Sequence, residues 1–346
     1  MKLEYSGPAD VDRVARTAAA ALREQTNNLF GLKPRIMIVL GSGCGLLAKN
    51  IHIFDEQEEI PYESILGMPP STVEGHKGAL LIGTYGDVPV LGFQGRKHYY
   101  EGASPQEASF PVYLAKYLGA KVAIMTTATG IAPWPKAHPQ DLPSYPAKVG
   151  ETLLIATYYP NLLPSSLRGP ITPEVGPRFQ GTINVPSIAL GILARSFAAT
   201  QGITLNEAIY VPRQGPLYET PAEIALLSEL SRATGLPVVA GMSVVPELEA
   251  AAMLGIDTAV FAVVTNHCFD MAARREIVGE LEEKLGAQSG AEKRPTLKEI
   301  NKFVSEAIAS RQPSHEEVAA AAGSEAVTKR LDSLIGGLVR AIRFDE

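Results

Sequence analysis

Arg96 and His98 stand two residues apart in Gln94-Gly-Arg-Lys-His-Tyr-Tyr-Glu-Gly102, directly after an apolar run. Alternate residues of an extended backbone share a side, so the pair would offer a guanidinium fork and an imidazole to one ligand. Phosphate suits that pair: Arg matches its oxygens with a planar set of donors, and His donates once and titrates near neutral pH. The segment also reads as a surface loop with solvated charges. Gly41-Ser-Gly-Cys-Gly45 likewise follows an apolar run, and its amides and the Ser42 hydroxyl could converge on an oxyanion. A plain structural turn is the other reading, and Gly43 to Ala48 also fits the loose GxGxxA form of a dinucleotide site. His76 adds a donor in a loop with two glycines, where a histidine is otherwise ordinary surface. In Gly241-Met-Ser-Val-Val-Pro-Glu247, Ser243 would give hydroxyl and amide to the same anion, or cap the helix that follows, and Met242 would pack on a sugar face.

Two further segments suit a flat, nitrogen-rich ring. Tyr218 and Glu219 adjoin in Gln214-Gly-Pro-Leu-Tyr-Glu-Thr-Pro-Ala-Glu223. The aromatic face can stack on a purine while the carboxylate accepts from its protonated edge; alternatively Glu219 is a helix-start carboxylate favoured by the macrodipole. Val263-Val-Thr-Asn266 ends an apolar strand on Thr265 and Asn266, at the strand end where α/β folds bind ligands. A polar pair that merely closes the strand has the same appearance.

The elements that must position these groups follow from periodicity. Apolar, branched runs at 35–40, 79–82, 88–93, 121–125, 151–156, 208–211, 237–240 and 258–264 predict buried strands. Helix-period stretches at 105–118, 186–200, 221–234 and 246–254 each open on a proline suited to a first turn. The alternation predicts an α/β layered fold. Residues 134–177, with eight prolines between Trp134 and Pro177, read as mostly loop. An amphipathic helix is expected within the first thirty residues, a charged helical elaboration at about 272–312, and a final helix from about 315 to 343. One domain over 1–346 is the simplest organisation.

Composition narrows the class. With 31 basic and 37 acidic residues fairly well mixed, for a net charge of −6, nothing suggests a surface built to neutralise a nucleic-acid backbone, and no nucleic-acid partner is expected. Cys44 and Cys268 make neither a disulfide framework nor a CxxC pair, so a cytoplasmic setting is expected. The first thirty residues lack a signal peptide's apolar core, and no apolar run is long enough to cross a bilayer, so no membrane partner is expected.

Taken together and in order, these segments resemble the trimeric purine nucleoside phosphorylases. Further matching stretches are Ile60-Pro-Tyr-Glu-Ser64, Ser71-Thr-Val-Glu-Gly-His76, Gly176-Pro-Arg-Phe179 and His315-Glu-Glu-Val318. The resemblance implies a phosphorylase/hydrolase-like fold, α/β with a central mixed twisted sheet flanked by helices, and phosphate held by Ser42, Arg96, His98, Ser243 and the Ala128 amide with His76 nearby. It implies Tyr100, Met242 and His315 around the ribose, with Phe179 reaching a neighbouring subunit's site in a homotrimer. Tyr218, Glu219, Thr265 and Asn266 would hold the base, and His98, Glu219 and Asn266 would carry catalysis. Phosphate is then a co-substrate, with no metal or organic cofactor, and inosine, guanosine and their deoxy forms are the expected substrates. Asn266 rather than Asp favours 6-oxopurines, because an amide can donate to the ring nitrogen and to the 6-oxygen without a charge clash.

The chain also departs from that pattern. Thr126-Thr-Ala-Thr-Gly-Ile131 stands where the family has Asn-Ala-Ala-Gly-Gly, Ala156-Thr-Tyr-Tyr159 where it has Asp-His-Ile-Asn, and Thr182-Ile-Asn-Val-Pro186 where it has Ala-Tyr-Asp. The segment between Asn266 and His315 is longer and more charged than is usual there. Two alternatives follow: methylthioadenosine phosphorylase, which shares the fold, and a non-catalytic purine- or phosphate-binding homologue.

Overall fold

In the computed structural model, which describes residues 4–25, 33–52, 59–73, 77–136, 144–159, 163–287 and 296–344, the first strand, β1 (Ile36–Leu40), is buried at every position. Met37 and Val39 face one core, and Ile36, Ile38 and Leu40 face another. A strand buried on both faces must be apolar throughout, which is why this run shows no polar alternation.

The other strands are β2 (Ile51–His52), β3 (Glu59–Pro61), β4 (Ala79–Tyr85), β5 (Val88–Gln94), β6 (Val122–Ile131), β7 (Thr152–Tyr158), β8 (Glu207–Pro212), β9 (Val238–Gly241) and β10 (Asp257–His267). They form one mixed sheet in the order β10-β7-β8-β9-β6-β1-β5-β4-β2, and β10 also pairs with β6. That extra pairing closes β6, β10, β7, β8 and β9 into a ring, with β1, β5 and β4 as an open wing.

The helices are α1 (Pro8–Gln25), α2 (Pro105–Leu118), α3 (Ile188–Thr200), α4 (Pro221–Thr234), α5 (Val245–Leu254), α6 (Met271–Ala287), α7 (Leu297–Ala309), α8 (His315–Ala322) and α9 (Glu325–Ala341). α1, α2 and α5 cover one core, while α3 and α9 cover the other. Helices thus flank the mixed sheet, as expected. Several starts are legible locally: Ser104 with Glu107 and Thr220 with Glu223 form capping boxes, each followed by a first-turn proline.

β6 sets the position of everything else. Its first four residues pair with β1, Ile36 with Val122 through Val39 with Met125. Its last two pair on that same edge with β9, while β10 follows its other edge from Val122 to Ile131. Residues 126–129 therefore face a gap between the carboxyl ends of β1 and β9, the kind of crevice where α/β sheets bind ligands.

The strand ends and the last helix need correction. β6 and β10 run past their expected ends at 125 and 264, because Thr126, Thr127, Thr129 and Thr265 continue as strand. Their hydroxyls bond inside the sheet, Thr129 Oγ1 to the Val263 carbonyl and Thr265 Oγ1 to the Thr129 carbonyl, each at 3.1 Å, so polar residues need not end a strand. The final helix is two helices, α8 and α9, separated at Gly323-Ser324. The charged elaboration contains α6 and α7, with residues 288–295 outside the described ones. Within 134–177 the described residues are irregular apart from β7, as expected.

The break before α9 lets α8 sit down on the glycine loop after β1. A Cβ on Gly323 would lie 3.0 Å from the Gly43 carbonyl oxygen, and one on Gly43 would lie 2.4 Å from Ala322 Cβ. Gly43 also has φ of 76°, a left-handed backbone that L side chains avoid. Gly43→Ala is therefore expected to cost at least about 1–2 kcal/mol, read as a lower urea midpoint; an unchanged midpoint would mean that α8 does not rest on this loop.

Candidate active site

The gap beside β6 opens into a cleft of about 540 Å³, lined among others by Ser42, Arg96, His98, Tyr100, Ala128, Tyr218, Glu219, Met242, Ser243, Thr265, Asn266 and Val318. Segments separated by hundreds of residues thus meet at one place. His76 lies outside the described residues, as does the side chain of His315; Val318, one helical turn further along α8, lines the cleft. Phe179 is 90% exposed and lies away from the cleft.

At one end the donors cluster. The Gly95 amide bonds the Leu40 carbonyl at 2.9 Å, holding the loops after β1 and β5 side by side. Arg96, 2% exposed, donates from Nη1 to Ser243 Oγ at 3.0 Å, and its Nε lies 3.5 Å from Glu247 Oε2. Burial pushes the Glu247 carboxyl up and the guanidinium opposes that shift. Charged groups buried this deeply need each other: removing one partner of such a pair typically costs about 3–5 kcal/mol. Thr127 Oγ1 lies 3.1 Å from Ser243 Oγ, so the run in which this chain departs from the phosphorylase pattern contributes a hydroxyl to the cluster. The Gly41 amide donates to Thr126 Oγ1 at 2.9 Å, tying the Ser42 loop to β6.

One part of the sequence reading is overturned here. The Ser243 amide was expected to face the same anion as its hydroxyl, but it donates to Tyr210 Oη at 3.0 Å. Tyr210 is fully buried, and burial pushes its phenol up. Ser243 does not cap α5 either, because the cap position is Val244 and lacks a side-chain bond.

His98 is held by a residue that the sequence reading passed over. Its Nδ1 lies 2.9 Å from Glu101 Oε1, and its amide donates to the same oxygen at 2.7 Å. Glu101 Oε2 accepts from the Thr72 amide at 2.7 Å, from Thr72 Oγ1 at 2.6 Å and from Lys97 Nζ at 3.1 Å. Burial alone would push the Glu101 carboxyl up, but the hydrogen bonds from His98 and Thr72 outweigh it and hold it well below the usual carboxylate range. An ionised acceptor at Nδ1 keeps a proton on that nitrogen and fixes the orientation of the ring. The three-residue spacing of His98 and Glu101 in one polar segment was the available signal.

Midway along the cleft, the His98 and Tyr100 rings stack with centroids 4.8 Å apart. The chain after β8 passes between Tyr100 and Met242 at Gly215, where φ is 66° and a Cβ would lie 2.6 Å from Met242 Sδ and 2.8 Å from Tyr100 Cδ1. Only glycine fits there, a constraint that the sequence alone did not single out.

At the far end Glu219 is enclosed, its side chain 6% exposed, and burial pushes its carboxyl up. Arg213 Nε lies 4.0 Å from its Oε1, and the Cys268 thiol donates to its Oε2 at 3.9 Å. Thr265 Oγ1 lies 3.1 Å from Asn266 Oδ1, and Asn266 Nδ2 donates to the His267 carbonyl at 3.4 Å, which orients the amide. A Cβ on Gly130 would lie 3.0 Å from Asn266 Nδ2 and 2.8 Å from Cys268 Sγ, so this glycine leaves room for both. Among the described residues no group of three or more His, Cys, Asp or Glu side chains is arranged to hold a metal, and no helix is long and apolar enough to cross a membrane.

Comparison with known proteins agrees with this geometry. The sequence model of the phosphorylase superfamily matches residues 35–295. Purine nucleoside phosphorylase 1 of Geobacillus stearothermophilus is 35% identical over 251 residues, covering 72% of this chain and 85% of its own. The Bacillus subtilis (strain 168) protein of the same name is 32% identical over 279 residues, covering 80% and 94%. Among solved structures, Schistosoma mansoni purine nucleoside phosphorylase in complex with inosine superposes with a TM-score of 0.70 at 26% identity, over 99% of each chain. Isoform 2 from that organism, in complex with cytosine and ribose-1-phosphate, gives 0.70 at 27%, over 96% of this chain and 98% of that one.

Fold and site together define an enzyme of the phosphorylase superfamily. Within it, the chain belongs to the purine nucleoside phosphorylases.

The tight fit at Gly130 yields a test of the far end. Gly130→Ala is expected to displace Asn266 and lower turnover roughly ten- to hundredfold, with a stability cost of about 1–3 kcal/mol from crowding the buried Cys268; a normal rate in the folded variant would show that Asn266 tolerates displacement.

Proposed function

We propose that the enzyme cleaves 6-oxopurine nucleosides, inosine and guanosine with their deoxy forms, using inorganic phosphate. The observation that carries this reading is a single cleft with the Arg96–Ser243–Thr127 cluster at one end and the enclosed Glu219 and Asn266 at the other. In this reading phosphate sits against Ser42, Arg96, His98, Ser243 and Ala128, with His76 nearby. Tyr100, Met242 and His315 line the ribose. Tyr218, Glu219, Thr265 and Asn266 hold the base.

The chemistry follows from charge placement. As the bond from C1′ to the purine lengthens, positive charge grows on the sugar and negative charge on the base. A phosphate oxygen attacks C1′ and forms the new bond as the old bond's electron pair passes to the purine. Held phosphate is thus both nucleophile and counter-charge, with its entropy already surrendered. Asn266 Nδ2 donates to the imidazole-side nitrogen as electrons arrive, and Glu219 accepts from the N–H on the opposite edge. Thr265 supports this by engaging Asn266 Oδ1.

Phosphate is a co-substrate here, and the reaction uses no metal or organic cofactor. We infer as well that the enzyme works in the cytoplasm as a homotrimer. The exposed apolar side chains of Phe179 and Ile183, each 90% exposed, support a subunit contact through that segment. We read α6 and α7 as an elaboration of one domain, since α6 packs on α4.

Free base released from inosine and guanosine is to be measured with and without phosphate. Release is expected only with phosphate; turnover persisting unchanged without it would make the reaction hydrolysis and reject this reading. Asn266→Ala is expected to lower kcat by about a hundredfold or more, as for other preorganised donors, and a near-normal rate would reject the role given to Asn266.

A further inference from the structure

Arg213 brings a charge to the base end of the cleft that neither phosphate nor ribose binding uses. It follows β8, and its amide donates to the Gly241 carbonyl at 2.7 Å, which fixes where its side chain starts. The guanidinium, 20% exposed, bridges two carboxylates: Nε lies 4.0 Å from Glu219 Oε1, and Nη1 pairs with Glu223. Glu223 is in turn anchored in the capping box of α4, accepting from the Thr220 amide at 2.8 Å. The guanidinium is therefore held from behind and presented to Glu219.

We propose that Arg213 sets the base preference of this enzyme by keeping Glu219 ionised, so that the site selects purines with a hydrogen on the ring nitrogen of the six-membered edge. This rests on the assignment of Glu219 to the base. An ionised carboxylate only accepts, whereas a protonated one also donates. The N1 nitrogen of hypoxanthine and guanine carries a hydrogen, and that of adenine is a bare acceptor. The charge state of Glu219 therefore decides which of the two edges it matches.

The surroundings make that state a contest. Burial pushes the Glu219 carboxyl up, and the carboxylate of Glu223 on α4 adds to the rise. The hydrogen bond from Glu219's own backbone amide opposes the rise most, Arg213 next, and the thiol of Cys268, which follows β10, least. The thiol is itself pushed well up by burial and by Glu219, so it stays a neutral donor. Tyr218 stays neutral too, its phenol pushed up by burial and by Glu219. Among the charged groups at Glu219, Arg213 is thus the cation that favours the acceptor form. It touches no reacting atom and acts as a positioning residue through Glu219.

The test is the pH dependence of kcat/KM for inosine and for adenosine, at saturating phosphate, across a small set of variants. Glu219→Gln identifies the acid limb belonging to Glu219 by abolishing it; if that variant leaves both the limb and the KM for inosine unchanged, the base-site assignment itself is wrong. Arg213→Met is expected to move that limb upward by about one pH unit, the lower end of the usual effect of an adjacent guanidinium. It should also narrow the preference for inosine over adenosine about tenfold and leave the KM for phosphate unchanged. Arg213→Lys, which keeps the charge, should restore most of the parent profile. Glu223→Gln keeps the capping box but removes the competing anion, so it should move the limb the other way, to lower pH. If Arg213→Met and Glu223→Gln instead move the limb in the same direction, or if Arg213→Met leaves it in place while Glu219→Gln abolishes it, Arg213 merely braces α4 and the proposal is overturned.

Discussion

One strand has to serve two neighbours on the same edge. β6 leaves β1 after Met125 and meets β9 only at Gly130, while β10 stays alongside from Val122 to Ile131, with a register shift between Val264 and Asn266. The backbone between those points would otherwise be an open edge in the middle of a sheet, an arrangement that proteins normally cover or pair. Here the gap is the site. The loops after β1, β5, β8 and β9 all turn beside it, so groups from opposite ends of the chain come within hydrogen-bonding distance without any local segment having to hold them.

That arrangement lets charge enter a largely apolar interior, and every charged group there arrives with a partner. Arg96 has Glu247 beside it, His98 has Glu101, and Glu219 has Arg213. The pairs differ in what they do to the carboxylate. Glu101 receives enough hydrogen bonds to stay ionised despite burial, so it acts as a fixed anion behind His98. Glu219 receives fewer, and burial pushes its carboxyl up, which suits a group that must exchange its contacts for those of a ligand. Fixed dipoles of this kind stabilise developing charge without reorganising as the reaction proceeds.

Much of the molecule was legible in the sequence for local reasons. The run at 36–40 is apolar because both faces are buried, and Ser104 and Thr220 announce the helices that they cap. Segments after strands gave Arg96, His98, Tyr218, Glu219, Ser243 and Asn266, and all six line one cleft. The misreadings also have local causes. Threonines at 126 and 129 look like the end of a strand until a neighbouring strand accepts their hydrogen bonds. The helical pattern after residue 315 runs straight through Gly323, and only the close approach of Gly43 explains the break.

The sequence by itself determined which chemistry the chain carries and in what order its elements come, because side-chain type, strand and helix period and turn propensity are all written within a few residues. The tertiary structure alone decided partners. Ser243 lies 147 positions from the arginine that reaches its hydroxyl, its amide turns to a tyrosine 33 positions away, and Cys268 meets Glu219 across 49. Such pairs depend on which strand lies beside which and on where a glycine lets two backbones touch, and no local pattern encodes either.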